Sequence, residues 1–308
     1  MTAAAFGPAT LSNLGPGFDA LGLCITGLGD RVTATRTDAP DVTVECRSQT
    51  GGAPDLPADP EKNTAGRAAS AVLRQAGADG GLALVVDKGI PLGSGVGGSA
   101  ASAVAGAWAA NLALGRPFER AELVEAVLAG EAAAGARHGD NALPALLGGL
   151  VVVSPSDPTR YRRVALSSAP PLAVVVPDVA VLTADARAAL PAAVPHADAA
   201  AQAAELAFLL GALADGDWAE AGRRMMTDRL AEPFRAPLVP VYAAVRAAAL
   251  DAGADGCALS GSGPAMVALG GDAPAVLAAM EAACHEAGVG ARAWLAEVDP
   301  VGVREVDP

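Results

Sequence analysis

Pro91-Leu-Gly-Ser-Gly-Val-Gly-Gly-Ser-Ala-Ala-Ser102 is the most informative segment of this chain. It follows an apolar run at residues 82–86, which predicts a strand, and precedes an alanine-rich run at residues 100–114, which predicts a helix. Four glycines within six residues allow the backbone to turn tightly with its N–H groups facing inward. Such a loop before a helix favours a bound anion, because unpaired N–H groups and the helix dipole both attract phosphate. The first hypothesis is therefore a nucleotide-binding enzyme.

The glycines alone are compatible with other kinds of loop. Gly93, Gly95 and Gly98 satisfy the G-x-G-x-x-G fingerprint of dinucleotide-binding folds. That fingerprint requires its first glycine at the strand end and an acid at the tip of the next strand, whereas here residues 87–92 intervene and the next acid is Glu119. A P-loop ends in Gly-Lys-Ser/Thr, but Gly98 is followed directly by Ser99. A close-packed glycine and alanine turn without a ligand is the remaining alternative.

The composition indicates two domains built around small aliphatic side chains. The chain has 308 residues, of which 52% are apolar and only 3% aromatic, so alanine, valine and leucine must form the core. A net charge of −13 argues against a nucleic-acid partner, since no basic stripe is available to neutralise phosphates. The two lysines are Lys62, which is expected to be a solvated surface charge, and Lys88, just before the glycine-rich loop. A nucleotide must therefore be bound through local donors and a metal ion.

The sequence predicts neither a membrane span nor an export signal. Residues 89–115 carry no charge, but Pro91, Asn111 and many glycines favour a buried loop and helix over a transmembrane segment. The N-terminus lacks a basic region, and Asp19 interrupts its mild apolarity, so we expect no signal peptide. The four cysteines are widely spaced: Cys24, Cys46, Cys257 and Cys284. This spacing predicts reduced thiols in a cytoplasmic protein rather than disulfides or zinc ligands.

Strand and helix patterns are mixed along the chain, which indicates an α+β or α/β enzyme. Apolar or β-branched runs predict strands at residues 31–35, 42–46, 82–86, 150–153, 172–176, 258–259, 266–269 and 291–294. Helical periodicity predicts helices at residues 64–75, 100–114, 120–134, 198–213, 218–228, 239–252 and 273–287. Ser154-Pro-Ser-Asp-Pro158 is typical of a boundary, so we expect an N-terminal domain over residues 1–158 and a C-terminal domain over residues 159–308.

Other polar and glycine-rich segments accompany the loop in a fixed order. They are Ala9-Thr-Leu-Ser-Asn-Leu-Gly-Pro-Gly-Phe-Asp-Ala-Leu-Gly-Leu23, Asn63-Thr-Ala-Gly66, Gly130-Glu131, Arg137-His-Gly-Asp-Asn141, Pro144-Ala-Leu-Leu-Gly-Gly149, Thr183-Ala-Asp-Ala-Arg187, Glu232-Pro-Phe-Arg235 and Ser260-Gly-Ser-Gly-Pro264. Together with the loop, and from residue 8 to residue 264, they resemble the motifs of the GHMP kinases, and the homoserine kinase branch most closely. Each segment is weakly specific by itself, whereas the ordered set is highly specific.

The resemblance implies a fold and a reaction. The fold is α+β with two domains and the active site between them. The N-terminal domain contains a left-handed βαβ unit, an exception to the usual right-handed crossover, and the C-terminal domain is ferredoxin-like. The reaction is ATP-dependent phosphorylation of the side-chain hydroxyl of L-homoserine, giving O-phospho-L-homoserine for threonine synthesis. ATP and Mg²⁺ are implied as cofactors, and the implied assembly is a homodimer.

The resemblance places ATP on the glycine-rich loop, whose N–H groups are expected to surround the β- and γ-phosphates. The implied ATP-binding residues are Asn63, Lys88, Pro91, Leu92, Gly93, Ser94, Gly95, Val96, Gly97, Gly98, Ser99, Ala100 and Ala101. Ser99 is expected to cap the following helix and to offer its hydroxyl to Mg²⁺, the alternative being a plain N-cap serine. Glu131, near a helix end where the dipole disfavours a carboxylate, is the second implied metal ligand, the alternative being a solvated acid.

The implied amino-acid substrate is a zwitterion, so its site needs both signs of charge. By the resemblance, Asp19 pairs with the α-ammonium or the hydroxyl, and Arg187 and Arg235 bind the α-carboxylate. Each arginine considered alone would be typical of a surface charge. The remaining implied pocket residues are Asn13, His138, Asp140, Asn141, Thr183 and Gly261.

The implied catalytic residues are Ser99, Glu131, Asp140 and Asn141. Asp140 is either a general base or an orienting acceptor, because a loose phosphoryl transition state needs little activation of the nucleophile and the proton can pass to phosphate. Two rival functions stay open. One is a kinase of the same fold acting on another small alcohol such as mevalonate, and the other is a non-catalytic nucleotide-binding homologue.

Two positions depart from the family pattern. Gly98 stands where the family has the first of two adjacent serines, and Gly139 stands where it has an alanine. Ser99 is therefore expected to be the metal-facing hydroxyl. The change at Gly139 is expected only to loosen its loop.

Overall fold

The computed structural model describes residues 1–48, 56–135, 137–167 and 169–308 of the chain. The strands are β1 Thr2–Asn13, β2 Gly17–Thr37, β3 Val42–Ser48, β4 Gly81–Lys88, β5 Leu150–Ser154, β6 Asp157–Val164, β7 Leu172–Pro177, β8 Gly256–Leu259, β9 Met266–Leu269, β10 Ala291–Ala296 and β11 Arg304–Val306. The α-helices are α1 Thr64–Ala76, α2 Gly98–Ala113, α3 Val124–Glu131, α4 Gly139–Leu147, α5 Thr183–Ala188, α6 His196–Asp215, α7 Trp218–Met225, α8 Glu232–Arg235, α9 Tyr242–Asp251 and α10 Ala273–Glu286.

The first sheet leads into the glycine-rich loop. Its strands are ordered β11-β1-β2-β4-β3, and β2 also pairs with β5, which pairs in turn with β6. β3 and β4 are parallel neighbours joined through α1, which makes a βαβ unit. Helices α1 to α4 pack with this sheet in a core of alanine, valine and leucine. The loop emerges where β4 ends and continues into α2.

Helix α2 crosses the interior of the first lobe. Every residue from Ala100 to Ala113 is buried, as expected for the helical part of the uncharged segment. Small side chains let α1 approach it closely, since a Cβ at Gly106 would lie 2.6 Å from the carbonyl oxygen of Ala65. The backbones of α1 and α2 therefore pack closely at Gly106.

The second sheet has the order β10-β7-β9-β8, with every neighbouring pair antiparallel. Helices α9 and α10 pack on one face through Val245 and Met280. Helices α6 and α7 pack on the other face through Leu209 and Met225. The order of strands and crossover helices is that of a ferredoxin-like domain, so the predicted two-domain α+β fold is confirmed.

The change from the first sheet to the second does not occur at residue 158. Residues 155 and 156 form the turn of a hairpin between β5 and β6, both in the first sheet. The chain passes to the second sheet only between Val164 and Leu172, and β11 returns to pair with β1. The Pro- and Ser-rich stretch is therefore a hairpin turn, a structure that favours the same residue types as a linker.

Two segments differ from the sequence expectations. Residues 9–23, predicted as a turn-rich loop, form the end of β1 and the start of β2 around a turn at residues 14–16. β1 is buried on both faces, so no apolar and polar alternation marks it. Residues 120–134, predicted as one helix, form α3 flanked by the 3-10 turns Arg120–Leu123 and Ala132–Ala134.

One helix in the described part of the chain, α6, is long and apolar enough to cross a membrane by length and composition alone. An 18-residue window has a mean hydropathy of 1.3, and 22% of it is buried. Its inward side places Leu209, Ala212 and Leu213 in the core under the second sheet. Because core helices of soluble proteins can pass the same test, the expectation of no membrane partner stays a prediction.

Candidate active site

A cavity of 580 Å³ lies between the two lobes. The predicted site residues that line it are Asn13, Asp19, Asn63, Lys88, Pro91, Leu92, Gly93, Ser94, Gly95, Gly97, Gly98, Ser99, Glu131, His138, Asp140, Asn141, Thr183, Arg187, Arg235 and Gly261. Val96, Ala100 and Ala101 were also predicted, but their side chains are fully buried and do not line the cavity. Residues from one end of the sequence to the other therefore meet at one site.

The glycine-rich loop lines this cavity and is held in place through its carbonyl groups. The carbonyl oxygens of Ser94, Gly95 and Val96 accept hydrogen bonds from outside the loop, at 3.1, 2.7 and 3.2 Å. The donors are the N–H of Ala265, the hydroxyl of Ser260 and the N–H of Thr10. Because the C=O and N–H of a trans peptide point in opposite directions, the N–H groups that follow these carbonyls point away from these three donors. The loop can therefore donate to phosphate oxygens.

Gly97 is the tightest point of the loop. Its φ is 70°, in the left-handed region, and a Cβ at this position would lie 2.1 Å from the hydroxyl oxygen of Thr10. The same Cβ would lie 3.1 Å from Oδ1 of Asn141, which accepts a hydrogen bond from the Thr10 hydroxyl. Glycine is thus required here both by the backbone angle and by the close approach of strand β1.

Ser99 does not cap α2, contrary to the sequence expectation. The N-cap residue is Gly97, which has no side chain to cap with, and Ser99 lies inside the first turn. Its hydroxyl instead donates to Oε2 of Glu131 at 3.4 Å and lies exposed in the cavity. Because Ser99 is not the N-cap residue, its hydroxyl can bond to the carboxylate of Glu131.

Glu131 is buried at the end of α3 and is incompletely paired. Its Oε1 atom has no hydrogen-bond partner among the described residues, and burial raises the pKa of the carboxyl to about 8. No three His, Cys, Asp or Glu side chains in the described ranges lie close enough to form a metal site by themselves. A single carboxylate beside a hydroxyl suits Mg²⁺, which commonly takes one or two protein ligands and fills its shell with phosphate and water oxygens.

The side chains of Asn63 and Lys88 line the cavity but are already engaged. Asn63 caps α1, since its Oδ1 accepts from the N–H groups of Ala65 and Gly66. Lys88 is buried beneath the loop, where it forms an ion pair with Asp30. Lys88 also donates to the carbonyl oxygen of Gly98 at 2.9 Å. Both residues therefore shape the surroundings of the phosphate loop in this structure.

Asp30 fastens the beginning of the loop to β2. It is fully buried and accepts hydrogen bonds from the N–H groups of Gly89 and Ile90 and from the Ser102 hydroxyl. Ile90 also limits the space beside Gly98, because a Cβ there would lie 3.1 Å from its Cγ2 atom. That contact is tighter than most Cβ contacts, so the family's serine would require Ile90 to shift.

At the opposite end of the cavity, charged groups of both signs converge. Arg187 pairs bidentately with Asp19 at 2.7 and 3.0 Å, and this hydrogen bonding raises the pKa of the guanidinium. Arg187 also lies 3.1 Å from Nε2 of His138, which must accept because arginine only donates. Asn13 accepts from the N–H of Asp19 through Oδ1, holding the aspartate in its left-handed turn.

Arg235 approaches the same region from α8. It is 4% exposed and donates to the carbonyl oxygen of Gly261 at 2.8 Å. Burial and the nearby Arg187 lower its pKa. The guanidinium carbons of Arg187 and Arg235 lie 5.3 and 5.0 Å from the ring centre of Phe18. The two arginines thus share one aromatic contact at the cavity wall.

Asp140 and Asn141 begin helix α4 between the two ends of the cavity. Burial and the charge of Asp19 raise the pKa of the Asp140 carboxyl to about 6. Asn141 is fixed on β1, where it accepts from Thr10 at 2.8 Å and donates to Ser12 at 3.2 Å. The carboxylate of Asp140 therefore lies near Asp19, and its pKa of about 6 is close to neutral pH.

Four further residues that shape the site were not predicted as site residues: Thr10, Ser12, Phe18 and Asp30. The sequence contained a signal for Thr10 and Ser12, because residues two positions apart in a strand lie on the same face. Recognising it required that residues 2–13 be identified as a strand.

Two GHMP kinase domain families match the chain, the N-terminal domain at residues 63–149 and the C-terminal domain at residues 209–286. A homoserine kinase from Pyrococcus abyssi is 37% identical over 290 residues, covering 94% of this chain and 95% of its own. The chain belongs to the homoserine kinase branch of the GHMP kinases. A homoserine kinase from Xylella fastidiosa strain 9a5c is 40% identical, covering 98% of this chain and 93% of its own.

Solved structures of this family agree with the fold described above. The crystal structure of homoserine kinase from Cytophaga hutchinsonii superposes with a TM-score of 0.94 at 35% identity, covering 99% of this chain and 97% of its own. A mevalonate kinase from L. major shares the fold at a TM-score of 0.67 and 19% identity. The family predicted from the order of motifs is confirmed, and this homoserine kinase-branch chain is an ATP-dependent kinase.

Proposed function

We propose that this chain transfers the γ-phosphoryl group of ATP to the side-chain hydroxyl of L-homoserine, giving O-phospho-L-homoserine for threonine biosynthesis. One observation carries the proposal: a single cavity is lined by the glycine-rich loop and also by Asp19, Arg187 and Arg235. A zwitterionic substrate requires that combination of charges, whereas mevalonate has no ammonium group for Asp19 to bind. The hydroxyl of homoserine would then point from the charged end toward the loop.

The amino-acid end would accept its substrate by exchanging charge partners. Asp19 and Arg187 neutralise each other in this structure. An α-ammonium that takes Asp19 and an α-carboxylate that takes Arg187 would keep both charges paired, so binding need not leave a buried charge unpartnered. Arg235 offers a second guanidinium for the carboxylate.

We propose that Mg²⁺ is held by Glu131 and the Ser99 hydroxyl. The unpartnered Oε1 atom of Glu131 and the adjoining hydroxyl support this assignment. When bound, Mg²⁺ supplies charge neutralisation at the phosphate oxygens. The carboxyl of Glu131 must lose its proton to act as a ligand, so its raised pKa makes metal binding depend on pH.

Asp140 is the residue proposed to face the reacting hydroxyl. A carboxylate there accepts the hydroxyl hydrogen bond and orients the oxygen toward the loop, while Asn141 holds the start of α4 against β1. Its pKa near 6 also suits a general base at neutral pH. The alternative route for the proton is the transferred phosphate, in which case Asp140 only orients the hydroxyl.

We also propose a homodimer in the cytoplasm. The family resemblance supports the dimer, and four free cysteines support a reducing compartment. Burial raises the pKa of the Cys24 and Cys257 thiols, so neither has the character of a redox-active thiol. Sedimentation equilibrium of the purified chain tests the dimer directly, since a monomer across the micromolar range contradicts it.

A coupled ADP-release assay tests the proposed reaction. The enzyme is given ATP and Mg²⁺ with L-homoserine, D-homoserine, L-serine, mevalonate or galactose in turn. We expect turnover with L-homoserine and at least about 100-fold lower kcat/KM with mevalonate, because the charges of Asp19 and the arginines would stay unmatched. Turnover with mevalonate and none with L-homoserine would assign the chain to the rival alcohol kinase. ATP binding without turnover of any alcohol would indicate a non-catalytic homologue.

A further inference from the structure

Glu232 is a buried acid outside the cavity. It is the first residue of α8, a helix of four residues whose last residue is Arg235. Its side chain is 8% exposed, and burial raises the pKa of its carboxyl to about 7. Burying a carboxylate is unfavourable unless hydrogen bonds compensate it, so the partners of Glu232 define what it contributes.

The two carboxylate oxygens of Glu232 bond to two different elements. Oε2 accepts from the backbone N–H of Leu259, the last residue of β8, at 3.0 Å. Oε1 accepts from the hydroxyl of Tyr242 on α9. That hydroxyl also accepts from Arg246 at 2.7 Å, and the Arg246 guanidinium lies 3.9 Å from Oε1. The carboxylate therefore joins α8 to both β8 and α9.

The hydrogen bonds of Glu232 lie close in sequence to the contact between Arg235 and Gly261 at the cavity wall. Arg235 lies three residues after Glu232, and Gly261 lies two residues after Leu259. Nη1 of Arg235 donates to the carbonyl oxygen of Gly261 at 2.8 Å, and Asn13 donates to the same oxygen at 3.3 Å. The bond between Glu232 and Leu259 therefore helps to fix the distance between the Arg235 guanidinium and the Gly261 carbonyl.

We propose that Glu232 is a positioning residue that sets the place of the Arg235 guanidinium relative to the Gly261 carbonyl. This inference rests on the proposed role of Arg235 in binding the α-carboxylate. Bidentate recognition of a carboxylate depends on the orientation of the planar guanidinium, so a small displacement of α8 weakens it. Glu232 reaches the substrate only through Arg235, because it does not line the cavity.

Steady-state kinetics of Glu232→Gln test the proposal. Glutamine keeps the volume and one acceptor oxygen but loses the charge that strengthens the bonds to Leu259 and Tyr242. We expect KM for L-homoserine to rise about tenfold, as for a lost charge-assisted hydrogen bond, with KM for ATP changed by less than about twofold. Tyr242→Phe, which removes only one partner, should give a smaller rise in the same direction. Glu220→Gln, an acid on α7 paired with Arg223 and Arg224, is the matched control and should leave both KM values unchanged.

A double-mutant cycle separates positioning from general stability. In an Arg235→Met background, Glu232→Gln should raise KM for L-homoserine by no more than about twofold further, because the group it positions is gone. Equal effects of Glu232→Gln with and without Arg235, or equal rises of both KM values, would overturn the proposal. If Glu232→Gln does not fold, Tyr242→Phe in the same cycle gives the decision. If the parent enzyme does not turn over L-homoserine at all, the proposed function itself is contradicted.

Discussion

At the scale of single residues, Glu131 has the most informative combination of properties in the molecule. It is buried, one of its oxygens has no partner in the described chain, and its pKa is raised to about 8. An incompletely paired buried carboxylate is destabilising, so its presence at the end of α3 indicates a role that requires it. The Ser99 hydroxyl beside it is the group with which it would share a cation.

Glu131→Gln is expected to lower kcat about 100-fold or more, because the metal contributes several kcal/mol of charge stabilisation. In the parent enzyme, the Mg²⁺ concentration for half-maximal activity should rise about tenfold per pH unit below pH 8, since protons compete for the carboxylate. Mg²⁺ titrations of the initial rate at pH 6, 7 and 8 measure both effects. Glu125→Gln, an exposed acid on the same helix paired with Arg137, is the control. Parent-like Mg²⁺ dependence in Glu131→Gln would remove this residue from the metal site.

Asp140→Asn tests the general base. If Asp140 takes the hydroxyl proton, kcat should fall about 100-fold or more, and kcat of the parent should rise with pH through about 6. Asparagine keeps the size of the side chain but cannot accept a proton at this pH. Asp157→Asn, an acid on the exposed hairpin, controls for a general loss of negative charge. A loss of only a few-fold with an intact fold would leave Asp140 as an orienting acceptor.

At the scale of elements, the glycine-rich loop is held from outside itself. Residues 94–96 are bonded through their carbonyls to β1 and to the loop at residues 260–265. The conformation of the loop therefore depends on contacts between segments far apart in sequence. Gly97 is where the loop and β1 come closest.

Gly97→Ala is expected to weaken ATP binding about tenfold or more, because the added Cβ would overlap the Thr10 hydroxyl and strain a left-handed residue. Gly115→Ala is the matched control. Gly115 also has a positive φ, 84°, but a Cβ added there would meet no atom within 4 Å, and the residue is outside the cavity. Isothermal titration with ATP compares the two variants. Equal ATP affinity in both would contradict the close approach at Gly97.

Local sequence signals predicted the elements that depend on local physics. The strand at residues 82–86 and the helix after the glycines are present. The ferredoxin-like domain, which was implied by the family resemblance and not by local signals, is also present. The strand character of residues 2–13 was missed, because burial on both faces removes the alternation that marks a strand. The prediction that Ser99 caps α2 was wrong, because the N-cap residue is Gly97.

The polar partners of the site could not be predicted for a related reason. Asp30, Ser260 and Glu232 act through residues that are distant in sequence, and no spacing rule connects them. The charged residues Asp19, Arg187 and Arg235 were found only because ordered motifs resemble a family. Their meeting at one cavity is a property of the tertiary structure.

At the scale of the whole molecule, three buried carboxyl groups in the described part of the chain carry raised pKa values: about 8 for Glu131, about 7 for Glu232 and about 6 for Asp140. Each folded-state pKa lies above its unfolded value near 4, so the folded protein binds more protons between the two. The stability these groups contribute is present at low pH and is lost as pH rises through their folded pKa values.

The free energy of unfolding of the ligand-free protein should therefore fall between pH 5 and pH 8. Glu131→Gln removes the group with the highest of the three pKa values, so the variant should be more stable than the parent at pH 8 by about 1–3 kcal/mol and similar to it at pH 5. Urea unfolding at both pH values measures the difference. A variant no more stable than the parent at pH 8 would show that folding does not raise the pKa of Glu131.

One cavity is proposed to bring ATP to the hydroxyl of an amino acid that is recognised through both its charges. Phosphorus NMR of reactions containing ATP and Mg²⁺ tests it most directly, with L-homoserine compared against 4-hydroxybutyrate, which lacks the ammonium, and 3-aminopropanol, which lacks the carboxylate. We expect a phosphomonoester of L-homoserine and product formation at least about 100-fold slower with either truncated alcohol. Comparable phosphorylation of all three, or none of L-homoserine, would contradict the account.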